Sequence, residues 1–518
     1  MGRIIGILHR TKRTAAGEAR PTMIQIIDAA GQTPTKEFTL ETETDELDFV
    51  RGQYPIAYRP VQEDEDLSGI PKHHVKTKKV DDVEIPHRVP SEYEGLQSGD
   101  TVAMFLGGSG DRLAYALARR GQDIDAKVFR IPTFRSKEMR DTDDTSQDHV
   151  RLAEMYRDQA ERFQLTTPRD LENIQLREVY TQRKDALRSR IGVEQRLHSR
   201  LIGRIFIQPD GLYPEGSIED RFDSLKANDK ILNNQIAEER ACVTELQKLV
   251  RTREVWKQVF EPIEGCGEII AAGIMSGIGD IRRFTTGEET AQYDDLDKRA
   301  RLLEAQANRN SYRERPEVQA APNHFERNIA IRKLMIQDGN IEAADKMQGS
   351  IECRKQMYDL RQRGKGRLKA FCGVHLIKGW AECADCWKTF KVEDHDRDGV
   401  LNCPDCKSAN VVKKGVFARR RAGVVANWHP DVRQSLYQLG DQFNRRPKSE
   451  WGMRLRKEKA RYREQYPEKV TQNGKSRYSD GHIHRMATWR TLTKFVEELY
   501  DQWTYIERNA AKQEPSIS

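Results

Sequence analysis

No stretch of the 518 residues approaches the ~20 uninterrupted apolar positions that a membrane-spanning helix needs. The apolar core near the N-terminus (Ile4, Ile5, Ile7, Leu8) is too short for a signal peptide. A cytoplasmic protein with no membrane partner is therefore expected. Aromatic residues are only 8% and hydrophobic residues 37%, whereas charged residues reach 33%, above the usual ~25%. Such a composition allows cores but leaves much solvated surface. Cysteine is scarce too: of eight, Cys242, Cys266, Cys353 and Cys372 stand alone. One small binding module is excluded by length, because roughly 100–200 residues per domain give three to four domains.

The other four cysteines form two pairs, Cys383-Ala-Asp-Cys386 and Cys403-Pro-Asp-Cys406, with sixteen residues between them. This is the spacing of a zinc ribbon, in which two tight turns aim four thiolates at one tetrahedral point. Four thiolates leave no open position, so structural Zn²⁺ is expected, with Trp387 and Phe390 as a small core.

The net charge of +7 is unevenly distributed. Residues 41–66 carry nine acidic residues against Arg51 and Arg59, whereas residues 413–465 carry fifteen Lys or Arg against five acidic residues. A basic region interleaved with aromatics and histidines faces a polyanion. Arg419, Arg420, Arg421, Trp428, His429, Arg433, Arg445, Arg446, His484 and Arg485 are the nucleic-acid-binding candidates, with Trp451 and Trp489 among the stacking aromatics.

The N-terminal segment reads as α/β. Arg3–Leu8, Thr22–Ile27 and Glu37–Leu40 are strand-like, and 41–99 reads as an acidic insertion containing the basic patch from His73 to Lys79. Thr101–Leu106, Asp111–Arg120 and Ala126–Ile131 then make a strand–helix–strand unit with parallel strands. From Ser217, Ile218, Phe222, Leu225, Asp229, Leu232, Ile236, Glu239, Val243, Leu246 and Val250 recur at heptad spacing. With an earlier helix joined to it around Gly203–Gly216, this predicts either an antiparallel hairpin or a coiled coil that forms a homo-oligomer; two helices of an ordinary bundle fit equally. Gly265-Cys266-Gly267 resembles the turn of a helix-hairpin-helix, which aims backbone N–H groups at phosphates; a turn that serves helix packing is the alternative and the more frequent use of such a Gly-x-Gly. Asp144 and Asp148, four apart, are expected on one helix face, as Mg²⁺ ligands or as helix-capping groups.

The order of these parts resembles the DEDD-type insertion-sequence transposases, relatives of pilin-gene invertases that include the bridge-RNA-guided recombinases. The resemblance runs through Leu106-Gly107-Gly108-Ser109-Gly110 with Leu113 to Gly121, Asp144 to Ala153, Ile263 to Gly267 with Ala271-Ala272 and Ile278 to Phe284, Leu368 to Gly373, and Arg420 to Val425 with Val432 to Tyr437. It implies a RuvC-like, RNase H-fold domain binding Mg²⁺ through four acidic residues, and a C-terminal serine nucleophile. By position the last two acidic residues fall on Asp144 and Asp148. The first two fall on Leu8 and Phe105, which cannot ligate metal, with His9 and Asp111 as neighbouring substitutes. No serine stands just upstream of Arg419; Ser408 is the nearest.

The expected architecture is a RuvC-like domain over 1–165, a helical hairpin over 166–258, a helix-hairpin-helix and helical part over 259–379, a zinc ribbon over 380–412 and a basic helical domain over 413–518. The expected function is RNA-guided DNA binding, with guide RNA and target DNA as partners and strand cleavage and recombination if the site is active. The alternatives are a related RNA-guided nuclease or Nop-domain-type effector without the recombinase step, and a catalytically dead RNA-binding scaffold.

Overall fold

The computed structural model describes all residues except 1, 12–18, 29–35, 64, 81–82, 141–143, 208–216, 393–395, 398–399, 418–427, 473–474 and 514–518. The chain divides into two compact units, one comprising Met1–Glu172 and Arg282–Leu360, the other Asn173–Ile281 and Arg361–Ser518.

In the first unit β1 (Arg3–Leu8), β2 (Thr22–Asp28) and β3 (Lys36–Leu40) form an antiparallel meander. On the other side of β1 lie β7 (Thr101–Leu106) and then β8 (Lys127–Pro132), both parallel to it, and an antiparallel β9 (Gln164–Leu165). The strand order is β3-β2-β1-β7-β8-β9. The expected strand–helix–strand unit is present, with α2 (Asp111–Ile124) as its crossover.

Residues two apart in a strand share a face. Ile5, Ile7, Val102, Met104 and Val128 accordingly pack with Phe49 and Val50 of α1 (Glu43–Arg51) and with Leu113 and Leu117 of α2. The opposite face carries Ala103 and Ile131 under Leu152, and Ile4 and Ile27 under Ala153, both from α3 (Asp148–Gln159). Helix α3 approaches so closely at Gly6 that an added Cβ would lie 1.9 Å from the His149 carbonyl oxygen. Gly6→Ala is thus expected to destabilise this unit by about 1–3 kcal/mol; an unchanged urea midpoint would show that α3 yields freely.

Residues 41–99, read as an acidic insertion, form elements of their own. They begin with α1, which starts at a Thr42/Asp45 capping box and ends on Gly52 at φ +76°. There follows a three-stranded sheet of β4 (Tyr54–Pro60), β5 (Lys76–Val80) and β6 (Val83–Glu94) in the order β4-β6-β5. Helices α8 (Gly287–Gln306), α9 (Pro316–Gln319), α10 (His324–Gln337) and the first part of α11 (Ile341–Phe371) complete the first unit.

The second unit is mostly helical. Residues of α4 (Pro168–Ile207) lie antiparallel to α5 (Ile218–Asn228) and α6 (Lys230–Thr252). Arg190 pairs with Glu239 at 2.6 Å, Lys226 with Glu194 at 3.7 Å, and the His198 and Phe222 rings meet at 4.7 Å. The heptad seam therefore faces α4 of its own chain. It is also not one helix: Asp229 interrupts it and caps α6 by accepting the Leu232 N–H at 2.8 Å. Gly203 lies inside α4 rather than in the connecting turn. Its other described helices include α7 (Glu268–Ile278), the last part of α11, α12 (Pro430–Arg445), α13 (Glu450–Gln465) and α14 (Asp480–Gln513).

Small residues set the approach of α7 to α12. A Cβ on Gly273 would lie 2.1 Å from the Ser435 hydroxyl, and one on Gly277 2.3 Å from a Val432 methyl. The aromatic core behind them contains Phe260, Phe443, Trp451, Phe495 and Trp503, with Phe443 and Trp451 stacked at 5.5 Å.

Candidate nucleic-acid interface and metal centre

The four ribbon cysteines converge. Their sulfurs all lie within 4.8 Å of one another, with Cys383–Cys406 at 3.5 Å and Cys386–Cys403 at 3.4 Å. The two turns repeat one geometry. The Cys383 N–H donates to the Lys388 carbonyl and the Trp387 N–H to the Cys383 carbonyl; the Cys403 N–H donates to Ser408 and the Lys407 N–H to Cys403. Trp387 and Lys407, each directly after the second cysteine, take left-handed φ values of 57° and 61°. That reversal brings the backbone N–H groups toward the sulfurs. Burial alone would raise the Cys403 thiol, but donation from the Cys406 and Asp405 N–H groups holds it at about 7.

The sheet of β10 (Leu376–Cys383), β11 (Thr389–Lys391) and β14 (Val411–Phe417), with a hairpin of β12 (Asp396–Arg397) and β13 (Val400–Leu401), supports these turns. The small core contains Phe390, as expected, with Ala381. Trp387 lies beneath the Arg477 guanidinium at 4.6 Å, and Arg477 in turn pairs with Glu382 at 2.7 Å. A tetrahedral, all-thiolate site of this kind suits Zn²⁺. Ser408 is part of the same turn, bonded to Asp385 and accepting the Asn410 N–H at 3.0 Å.

The acidic candidates do not converge. Helix α3 begins at Asp148, so Asp144 lies in the preceding loop and the two share no helix face. Asp144 is exposed, and both its oxygens accept hydrogen bonds from Ser146, which together hold its carboxyl below the usual range. Asp148 is 1% exposed, and its two oxygens accept from Arg140, with Arg151 at 3.3 Å. Asp111, at the start of α2, accepts from the Gly107 N–H at 3.1 Å and from Arg130 at 3.0 Å. His9 bonds the Ser109 hydroxyl at 2.9 Å and faces Glu46 at 3.4 Å.

Among the described residues, no cluster of three or more metal-ligating groups includes His9, Asp111, Asp144 or Asp148. Mg²⁺ demands near-octahedral oxygen ligation. Asp111 and Asp148 are already held by arginines and Asp144 by Ser146, so the described residues do not present the four free carboxylates such a site needs.

Sequence reasoning missed the charge network beside this site. Arg130 of β8 bridges Asp111 and Asp170, and Asp170 also accepts from Arg282 at 2.7 Å. Burial would raise the Asp170 carboxyl, but Arg282 and Arg130 push it far below the ordinary range. Glu46 behaves alike: bonds from His9, Thr22 and Arg10 outweigh burial and hold it at about 2. A solitary arginine in an apolar strand, Arg130 in Lys127–Pro132, was the available signal.

The basic candidates separate by burial. Arg419, Arg420 and Arg421 lie outside the described residues. Trp451 and Trp489 are 7% and 9% exposed and belong to the core rather than to a stacking surface. Arg433 is half-buried among Trp428, Trp489 and Tyr437, at 4.4, 5.0 and 5.8 Å from their rings. His429 caps α12. Gly265, at φ +86°, makes room for Arg446, which a Cβ would meet at 2.5 Å. Gly267 is the N-cap of α7, whose first residue, Glu268, pairs with Arg251. This turn is thus fitted to packing, with a carboxylate already at the helix N-terminus.

Exposed basic groups lie on α13, at the start of α14 and at the end of α12. Helix α13 carries six basic and three acidic residues, and Arg456, Lys457 and Arg461 are exposed. Arg485 is exposed and Arg445 pairs with Asp441. His484 shares a shallow cleft with Lys459 and Arg463; burial and then Lys459 lower its ring below the ordinary histidine value. Beside it the Tyr466 and Tyr478 rings stack at 3.9 Å and 4° apart, and Tyr478 continues onto His482 at 5.6 Å. Stacked rings next to arginines and lysines suit unpaired bases and their phosphates. No model of a protein family matches the sequence, and no curated protein matches it.

Proposed function

We propose that the protein is an RNA-guided DNA-binding protein of the transposase and recombinase kind, acting by binding rather than by Mg²⁺-dependent cleavage. The observation that carries this reading is the strand order β3-β2-β1-β7-β8, an antiparallel meander followed by parallel strands on the other side of β1. An RNase H-type sheet has that arrangement, and it supports a RuvC-like domain. The basic α13–α14 face with its Tyr466, Tyr478 and His482 stack supports the nucleic-acid partner. Arginines on Asp111 and Asp148 support binding over catalysis, because two-metal phosphoryl chemistry needs free carboxylate oxygens at both the attacking and the leaving group.

The test is to purify the protein from its native locus with flanking DNA, sequence the RNA that remains bound, and assay guided binding and cleavage with and without Mg²⁺. One discrete RNA and guided binding without strand breaks are expected. In the same assay Lys459→Ala combined with Tyr478→Ala is expected to weaken RNA binding about 10-fold or more, since stacking is worth about 1–3 kcal/mol per base. Folded, zinc-loaded protein free of nucleic acid would overturn the guided reading. Mg²⁺-dependent cleavage lost in Asp148→Asn would overturn the binding-only reading and return the nuclease or recombinase alternative.

A further inference from the structure

We propose that Asp48, His73 and His74 form a second metal site, for a divalent ion of the Zn²⁺ class, which fastens the segment after β4 onto α1. The site is separate from the ribbon, from the acidic candidates and from the basic face, and it lies wholly within the first unit.

The residues come from two elements. Asp48 is on the last turn of α1, and His73 and His74 form a short 3₁₀ turn, Lys72–His74, that precedes β5. Both imidazole Nε2 atoms lie 2.8 Å from the same oxygen, Asp48 Oδ2. The three ligand atoms fall within 4.8 Å of one another, and the two rings meet edge to face at 4.3 Å. Adjacent residues of a turn do not ordinarily aim at one atom; here a common target orients both.

Charge supplies a second, independent argument. Asp48 is 2% exposed and sits at the C-terminal end of its helix, where the backbone dipole already concentrates negative potential. An anion buried there requires a cation. Arg51 lies 4.0 Å from Oδ1, at the outer limit of an ion pair. A metal ion bound between the two Nε2 atoms and Oδ2 places the positive charge where the carboxylate needs it.

The donor set, two imidazoles and one carboxylate, is the N/O combination that Zn²⁺ and its neighbours select, and three protein ligands leave one position for water. Tetrahedral ligation with bonds of about 2.0–2.2 Å sets donor separations of about 3.3–3.6 Å, so each Nε2, now 2.8 Å from Oδ2, needs to draw back from it by about 0.5–0.8 Å. His74 is buried, whereas the His73 side chain is 47% exposed and gives the ion a route from solvent.

The test uses the full chain, stripped with chelator, refilled with Zn²⁺, desalted and analysed for metal content. Two equivalents per chain are expected: one lost in Cys403→Ser/Cys406→Ser, the other in His73→Ala. His73→Ala is chosen because its exposed side chain can be removed without opening the core, and circular dichroism checks its fold. With Co²⁺ the His/Asp site is expected to give weak visible bands without thiolate charge-transfer absorption. These bands should persist in the double cysteine variant and vanish in His73→Ala. A single equivalent in the wild-type chain, lost entirely with the cysteines, would overturn the proposal. Two equivalents retained in His73→Ala would overturn it equally.

Discussion

Cys403→Ser is expected to unfold the ribbon while the rest of the second unit stays folded, and to remove the cobalt–thiolate charge-transfer band. The ribbon has little else to hold it. Its core consists of Ala381, Cys383, Phe390 and Cys403, with a few half-buried neighbours, far less apolar material than a domain of about 40 residues needs to fold unaided. Structural zinc contributes about 10–16 kcal/mol of apparent binding energy in small peptides. Losing one of four thiolates therefore costs more than the remaining contacts supply. Chelator should produce the same local unfolding in the wild-type chain, reversed by Zn²⁺, and proteolysis between residues 376 and 417 is the direct readout. A ribbon that stays protease-resistant in Cys403→Ser would show that the pairing of Arg477 with Glu382 and Trp387, rather than the metal, organises it.

How much of this was legible in the sequence follows the range of the interactions. Two pairs at fixed spacing specify the zinc turns, since each depends on six or so consecutive residues. The strands of the first unit were legible because both faces of the sheet are covered, which makes Arg3–Leu8 and Thr101–Leu106 nearly continuous apolar runs. The acidic segment was not. Its β5 and β6 strands are largely exposed and rich in polar and charged residues, and period-two alternation is faint there. The heptad seam gave the hairpin but hid the break at Asp229, a polar residue that reads as a tolerated seam position until its side chain is seen capping α6.

The basic region shows the opposite failure. Composition alone marks Trp451 and Trp489 as stacking residues, but an aromatic among arginines is as well suited to a cationic core edge. Arg433 between Trp428 and Trp489 is one such edge, and Arg454, 4.3 Å over Trp451, is another. The acidic candidates were likewise found in sequence and reassigned by their partners. A carboxylate in a motif and a carboxylate bound by arginine look identical until the third dimension is known.

Arg130→Met should destabilise the first unit by about 3–5 kcal/mol, the usual result of removing one partner of a buried ion pair. Arg130 is 3% exposed, and its guanidinium reaches Asp111 on one side and Asp170 on the other. Without it, Asp170 keeps Arg282 and the Thr167 donors but loses one of its two arginines, and Asp111 keeps only a backbone donor among these contacts. Arg130→Lys is expected to recover part of the loss, since one ammonium cannot fork between two carboxylates.

The same network sets an acid limb. The Asp170 carboxyl is depressed in the folded chain, so its contribution is complete above the unfolded value of about 3.9 and disappears as pH falls from there toward the folded value. Glu46, held at about 2, adds to the same window from about 4.3 downward. Wild-type stability should therefore be flat above about pH 5 and fall steeply below it. Asp170→Asn, which removes the titrating group but can still accept a hydrogen bond, should be weaker at neutral pH and lose less stability between pH 5 and pH 3. Urea midpoints across that range decide the matter. An Arg130→Met midpoint equal to that of the wild type, or an acid limb unchanged in Asp170→Asn, would mean that solvent reaches this network and that the charges at the end of the sheet do not hold the unit together.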